Sequence, residues 1–180
     1  MTYTSAIMKS IVFHLLLMAV ISTAGNAQVK NALGNVKQQA GKMGTAFINA
    51  DYKTFAKYNN PTIVKMMGGE AGLIKIISGT MDQMKQSGVV FNTVSFGEPS
   101  ALVKSGTDWQ CTIPQIITMT TGQGKFSNTT TLIGISSNNG VKWTFIDTTN
   151  KDADVIKKVV HNLSSKLVIP VPQGPVKLNN

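Results

Sequence analysis

Apolar positions recur along this chain with two different periods, and the switch between them divides it. Over residues 29–50 they fall at Val29, Leu33, Val36, Ala40, Met43, Phe47 and Ala50, alternately four and three apart, which is one stripe of a helix. Gly34, Gly41 and Gly44 interrupt the stripe. Each costs up to about 1 kcal/mol relative to Ala, so a helix kept here is expected to pack closely on something. Asp51 is placed to cap a second helix carrying Tyr52, Phe55 and Ala56. Asn59-Asn60-Pro61 ends it, because the residue before proline avoids the helical region. Pro61 then suits the first position of a short helix over 61–67, closed by Gly68-Gly69. A further helix over 70–86 carries Leu73, Ile74, Ile77, Met81 and Met84 on one face and stops at Gly88.

From residue 89 the period becomes two. A strand over 89–96 has Val90, Val94 and Phe96 on one side, and 101–104 continues it after the turn at Gly97-Glu98-Pro99-Ser100. The second strand covers 109–120, and the Pro114 inside it predicts an edge or a bulge. The third covers 125–136. Asn138-Asn139-Gly140 is a hairpin turn, since Asn-Gly tolerates positive φ. It leads into a last strand over 141–147, with Val141, Trp143, Phe145 and Asp147 on one face and Lys142, Thr144 and Ile146 on the other. Asn150 or Asp152 caps a final helix whose buried face is Val155, Ile156, Val159, Val160 and Leu163. The proline-rich tail at 168–180 cannot be helical and is expected to be extended. The predicted class is α+β: N-terminal helices packed on a curved four-stranded antiparallel sheet, with a C-terminal helix, in one domain over 28–167.

Composition changes the picture at the N-terminus. Lys9, a run of about 11 residues from Ile11 to Ile21 that is apolar apart from His14, and small residues at Gly25 and Ala27 read as a signal peptide over 1–27, cleaved after Ala27 or after Ala24, with Met8 as an alternative start. The run is too short for a bilayer, which needs roughly 20 residues, so no stable membrane span is expected after cleavage. The expected localisation is export, periplasmic or secreted. The mature chain would lose Lys9 and carry a net charge of about +8 against +9 for the whole. Every basic residue is Lys and only Lys157-Lys158 are adjacent, which disfavours nucleic acid as a partner, since bidentate phosphate and base contacts favour Arg. Cys111 is the single cysteine and is expected to be a small buried hydrophobe.

The order of helices, the short 61–69 segment before the long helix, and the Asn-Gly hairpin into the Trp143 strand resemble the nuclear-transport-factor-2-like family over residues 28–149. That family includes ketosteroid isomerases and polyketide cyclases. The resemblance is architectural and matches no signature motif; the final helix and tail are extensions to it. It implies a cone-shaped fold whose curved sheet and helices enclose a pocket, and it implies no reaction. In such a pocket the candidate ligand-binding residues are Tyr52 and Tyr58 on the helical cover, and Trp109, Trp143 and Phe145 on the sheet. Phe91, Met66, Met67, Met81 and Met84 could add to a lipophilic lining, although residues of these types more often simply fill a core.

Asp147 is the candidate catalytic residue, because an apolar wall beside Trp143 and Phe145 would raise its pKa and make it a base. The competing reading is a strand-ending residue that bonds the Thr148-Thr149 backbone. Clustered metal ligands, a nucleophile elbow and a phosphate loop are absent from the sequence, and His161 reads as a surface or interface residue. Asn128-Thr129-Thr130 and Asn162-Leu163-Ser164 match a glycosylation pattern that is common by chance. The expected function is an exported, non-catalytic domain that binds a small apolar ligand or acts as an interaction module, with no cofactor. The alternatives are an isomerase, cyclase or lyase using Asp147, and a homodimer-forming structural module that uses its open sheet face.

Overall fold

The computed structural model describes residues 31–149, 153–171 and 173–179. The targeting segment at 1–27, Val29 and the helix cap at Asn150 or Asp152 lie outside the described residues. Helix α1 covers 31–48. Its buried line is Ala32, Val36, Ala40, Met43 and Ala46, while Leu33 is 42% exposed, so the stripe is rotated from the predicted one at its start. The cause is the turn around Gly140, where an added Cβ would lie 2.4 Å from the Ala32 Cβ. A contact that close leaves room for alanine and not for leucine. Gly44 answers the expectation of close packing: a Cβ there would meet the Phe96 ring at 2.9 Å and Val94 at 3.0 Å.

Local signals set the next three helices. Asp51 accepts from the Thr54 N–H at 3.0 Å and opens α2 (Tyr52–Tyr58). Hydrogen bonding by Thr54 holds the Asp51 carboxyl below its usual range. The Asn60 side chain accepts from the Thr62 N–H, and Pro61 begins α3 (Pro61–Met66). Helix α4 (Gly69–Gln86) follows. It packs on α2 and α3 rather than on the sheet, so of its predicted face only Leu73 is buried.

The sheet is open, antiparallel and six-stranded: β1 (Val90–Phe96), β2 (Val103–Ser105), β3 (Asp108–Thr121), β4 (Gly124–Ser136), β5 (Thr144–Asp147) and β6 (Val176–Lys177). The order is β1-β3-β4-β5, with β2 on β3 and β6 on β4. Six strands replace the predicted four because the first is broken between Phe96 and Val103, and because the extended tail pairs with Phe126 and Ser127. A bulge between Phe91 and Thr93 also shifts parity within β1. Phe91, Val94 and Phe96 therefore face α1, and Val90 is 54% exposed instead of sharing their side.

Pro114 lies on a central strand and not at an edge. Its carbonyl accepts from the Gly97 N–H, so its missing donor faces the break between β1 and β2. There the neighbouring Thr112 N–H is taken by the Ser100 hydroxyl at 3.0 Å. The break in one strand thus spares the next an unpaired partner.

Two cores lie on opposite faces of the sheet. The first joins Val36, Ala40 and Met43 of α1 to Cys111, Ile113, Leu132, Trp143 and Phe145. The second joins Ile133, Ile135 and Ile146 to Ile156 of α5 (Ala153–Val159) and Val160 just beyond it, with Leu163, Leu167 and Ile169 packed alongside. The predicted cover of one face by the preceding helices is therefore matched, at the β4–β5 end, by a second cover from the C-terminal segment. Val155 differs from its predicted burial and is 50% exposed. Buried Gln110 holds this cover down: its Nε2 donates to the Asn162 carbonyl and its Oε1 accepts from the Ser164 N–H, both at 2.9 Å.

Candidate functional site

Alternation along β5 sends neighbouring residues to two different cavities. Phe145 and Asp147 lie on the α1 face, and Ile146 lies on the other. The first cavity is a pocket of about 80 Å³ between α1, α2 and the sheet. Helix α1 supplies Met43, Gly44 and Phe47, and α2 supplies Phe55 with Asn59 at its end. The sheet supplies Gln115, Ile117, Leu132, Phe145 and Asp147. The Asn60 N–H donates to the Phe145 carbonyl at 2.9 Å, which ties the α2–α3 junction to β5 and closes this side.

Asp147 is exposed. Its Oδ1 accepts from the Thr149 N–H at 2.7 Å and from the Thr149 hydroxyl at 2.5 Å, the turn geometry expected of a strand-ending aspartate. The other polar groups of the pocket are also engaged. Asn59 Nδ2 donates to the Phe55 carbonyl at 3.0 Å, and Gln115 Oε1 accepts from the Thr130 hydroxyl at 3.3 Å.

The candidate ligand-binding residues do not converge on this pocket. Phe145 lines it. Trp143 is 1% exposed in the first core, with its Nε1 donating to the Gly140 carbonyl at 3.0 Å. Trp109 is half-buried against the same core, with the Lys104 ammonium 5.4 Å from its ring centroid. Tyr58 lines an open groove of about 500 Å³ between α1 and α2. Partial burial pushes the Tyr52 phenol up and the Asp82 charge adds to it, which sets Tyr52 beside α4.

The second cavity holds about 300 Å³. Ile63, Met66 and Met67 come from α3 and its end, Ile146 from β5, and Val155, Ile156 and Val159 from α5. Its described lining is apolar throughout. Met66 and Met67, named from sequence as lipophilic lining, sit here; Ile63, Val155 and Val159 were missed as lining. The helical period marks each group as a face, but nothing local says that the two faces meet. Gln115 did carry a signal, as a polar residue in the inward series Cys111, Ile113, Gln115.

Cys111 lies in the first core, and burial pushes its thiol up to about 12. It is expected to resist alkylation in the folded protein and react at once in denaturant, as a timed thiol assay would show. Because the folded form holds its proton more tightly, this group's contribution to stability is present below the unfolded pKa near 9 and is lost as pH rises from there toward 12. Among the described residues no group of three or more His, Cys, Asp or Glu is placed to hold a metal ion, and no helix is long and apolar enough to cross a membrane. In comparison with known proteins, no family model matches the chain and no curated protein is significantly similar to it.

Proposed function

We propose that this protein is an exported, nuclear-transport-factor-2-like binding module that takes a small apolar ligand in the cavity between α3 and α5. The observation that carries this reading is the cavity itself. At about 300 Å³ it reaches the lower end of the range typical of small-molecule pockets, roughly 300–1,000 Å³. Met66 beside it is 65% exposed, so flexible thioether surface stands between cavity and solvent. Binding is favoured over catalysis by the surroundings of Asp147: it is exposed, its pocket is small, and no tyrosine or second acid is among the described residues lining it.

Native mass spectrometry of protein recovered from outside its own host's cytoplasm tests export and ligand together. The expected mass is that of a chain starting at Gln28 or Gly25 plus a retained apolar molecule. Ile63→Trp, which fills the cavity, is expected to abolish that retention while the fold persists. An unprocessed chain would overturn export; a ligand retained equally by Ile63→Trp would overturn the assignment of the site.

A further inference from the structure

Volume limits what the α3–α5 cavity can hold. A cavity of about 150 Å³ lined by aliphatic and aromatic side chains takes benzene, a guest of six carbons, so about 300 Å³ takes roughly twice as many. A steroid or a two-chain phospholipid exceeds that capacity. We propose that the cavity takes the alkyl chain of a fatty acid, about 10–12 carbons of it, and leaves the carboxylate in solvent at the mouth. This inference rests on the apolar-ligand reading of the same site and names the class of ligand.

Polarity places the two ends of that ligand. No described lining residue carries a charge, a hydrogen-bond donor in its side chain or an aromatic ring. A polar head drawn inside would lose its water and find no side-chain donor to replace it, so the head stays outside. The lining also offers no aromatic face on which a planar ring would stack. Met66 and Met67 are unbranched and flexible, and such side chains adapt to a chain that is itself flexible.

Charge at the mouth selects the head group. Met66 and Val155 line the cavity and are 65% and 50% exposed, so they mark its opening. Lys158 stands three residues after Val155 and therefore on the same side of α5. It is exposed and has no ion-pair partner among the described residues, whereas Lys157 is engaged. The two helices that frame the cavity carry three lysines, Lys65, Lys157 and Lys158, against one acid, Asp154. The excess is positive, which favours an anionic head over a cationic one.

The test is calorimetric titration of the folded protein, freed of any retained ligand, with hexanoate, octanoate, decanoate, dodecanoate, tetradecanoate and hexadecanoate below their micelle concentrations. Affinity is expected to rise about fourfold per added methylene as far as decanoate or dodecanoate, and by less than about twofold per methylene beyond, where the chain has outgrown the cavity. Decanoate is expected to bind about fivefold more tightly than decyltrimethylammonium, the scale of one exposed charge that attracts one head and repels the other. Lys158→Gln is expected to remove most of that preference and to leave the chain-length profile unchanged. A rise that continues undiminished through hexadecanoate, or equal binding of the two head groups by the unaltered protein, would overturn the proposal while leaving an apolar site in place. Pelleting with phosphatidylglycerol vesicles in the absence of saturable alkanoate binding would overturn it in favour of a membrane surface. Alkanoate binding that is unchanged by Ile63→Trp would instead overturn the assignment of the cavity itself.

Discussion

Trp143→Ala is expected to destabilise the protein by about 3–5 kcal/mol, the range seen when a large aromatic is deleted from a packed core. The indole is 1% exposed and fills the space beneath α1. A Cβ added to Gly134 of the adjacent strand would touch Val36, Trp143 and Cys111 at 3.1 to 3.4 Å, so helix, indole and sheet already meet without slack. Alanine would open a void that these neighbours cannot close, and the Gly140 carbonyl would lose the indole N–H. Asn35 still donates to that carbonyl at 2.9 Å, so the loss is mainly one of packing. A urea melt reads the effect. A change below about 1 kcal/mol would show that the indole lies against solvent.

Gly140→Ala should be nearly as damaging, by a different route. Gly140 has φ +78, and a Cβ added to it would lie 2.4 Å from the Ala32 Cβ, so there is no room for a second methyl. Left-handed backbone costs an L-residue about 1–2 kcal/mol and overpacking about 1–3 kcal/mol more, so a loss of about 2–5 kcal/mol is expected. The steric part can be separated. In a double-mutant cycle with Ala32→Gly, the added methyl occupies the vacated space, and a coupling of at least about 1 kcal/mol should appear. Strict additivity would mean that α1 simply lifts away from the turn, and that the turn does not fix the helix.

Much of the fold was legible because its signals are local. Asp51, Asn60-Pro61 and Gly88 act on residues within four positions of themselves, and α2, α3 and α4 begin and end within a residue or two of where those signals stand. Asn139-Gly140 takes positive φ at both residues, as such a pair permits. The two-residue period from 89 onward became strands and set Phe145 inward. The last strand, however, begins at Thr144 and not at Val141: residues 141–143 still belong to the turn, Val141 is 40% exposed, and Trp143 reaches the core from outside the strand. Class, element order and the main core are consequences of propensity, capping and alternation.

The site was legible only in pieces. Asp147 and Phe145 were read as neighbours because β5 is one strand, but Phe47 and Phe55 reach them from helices almost a hundred residues away in sequence. Tyr52 and Trp109 were grouped with them by residue type, and tertiary packing sends one to α4 and the other beneath Lys104.

By itself the sequence determined where the chain turns, which period each segment follows and which side of each regular segment is apolar. Only the tertiary structure decided what each apolar side meets. It turned Leu33 outward because the distant turn at Gly140 crosses Ala32, reversed Val90 through a bulge, and placed Pro114 in the middle of the sheet opposite a broken neighbour. It also brought α5 and Ile169 onto the second face of the sheet, and paired the end of the tail with β4 in the sheet itself. The physical reason is range. Backbone propensities and caps act between residues a few positions apart, while burial is shared between surfaces whose partners are known only once the chain has closed on itself.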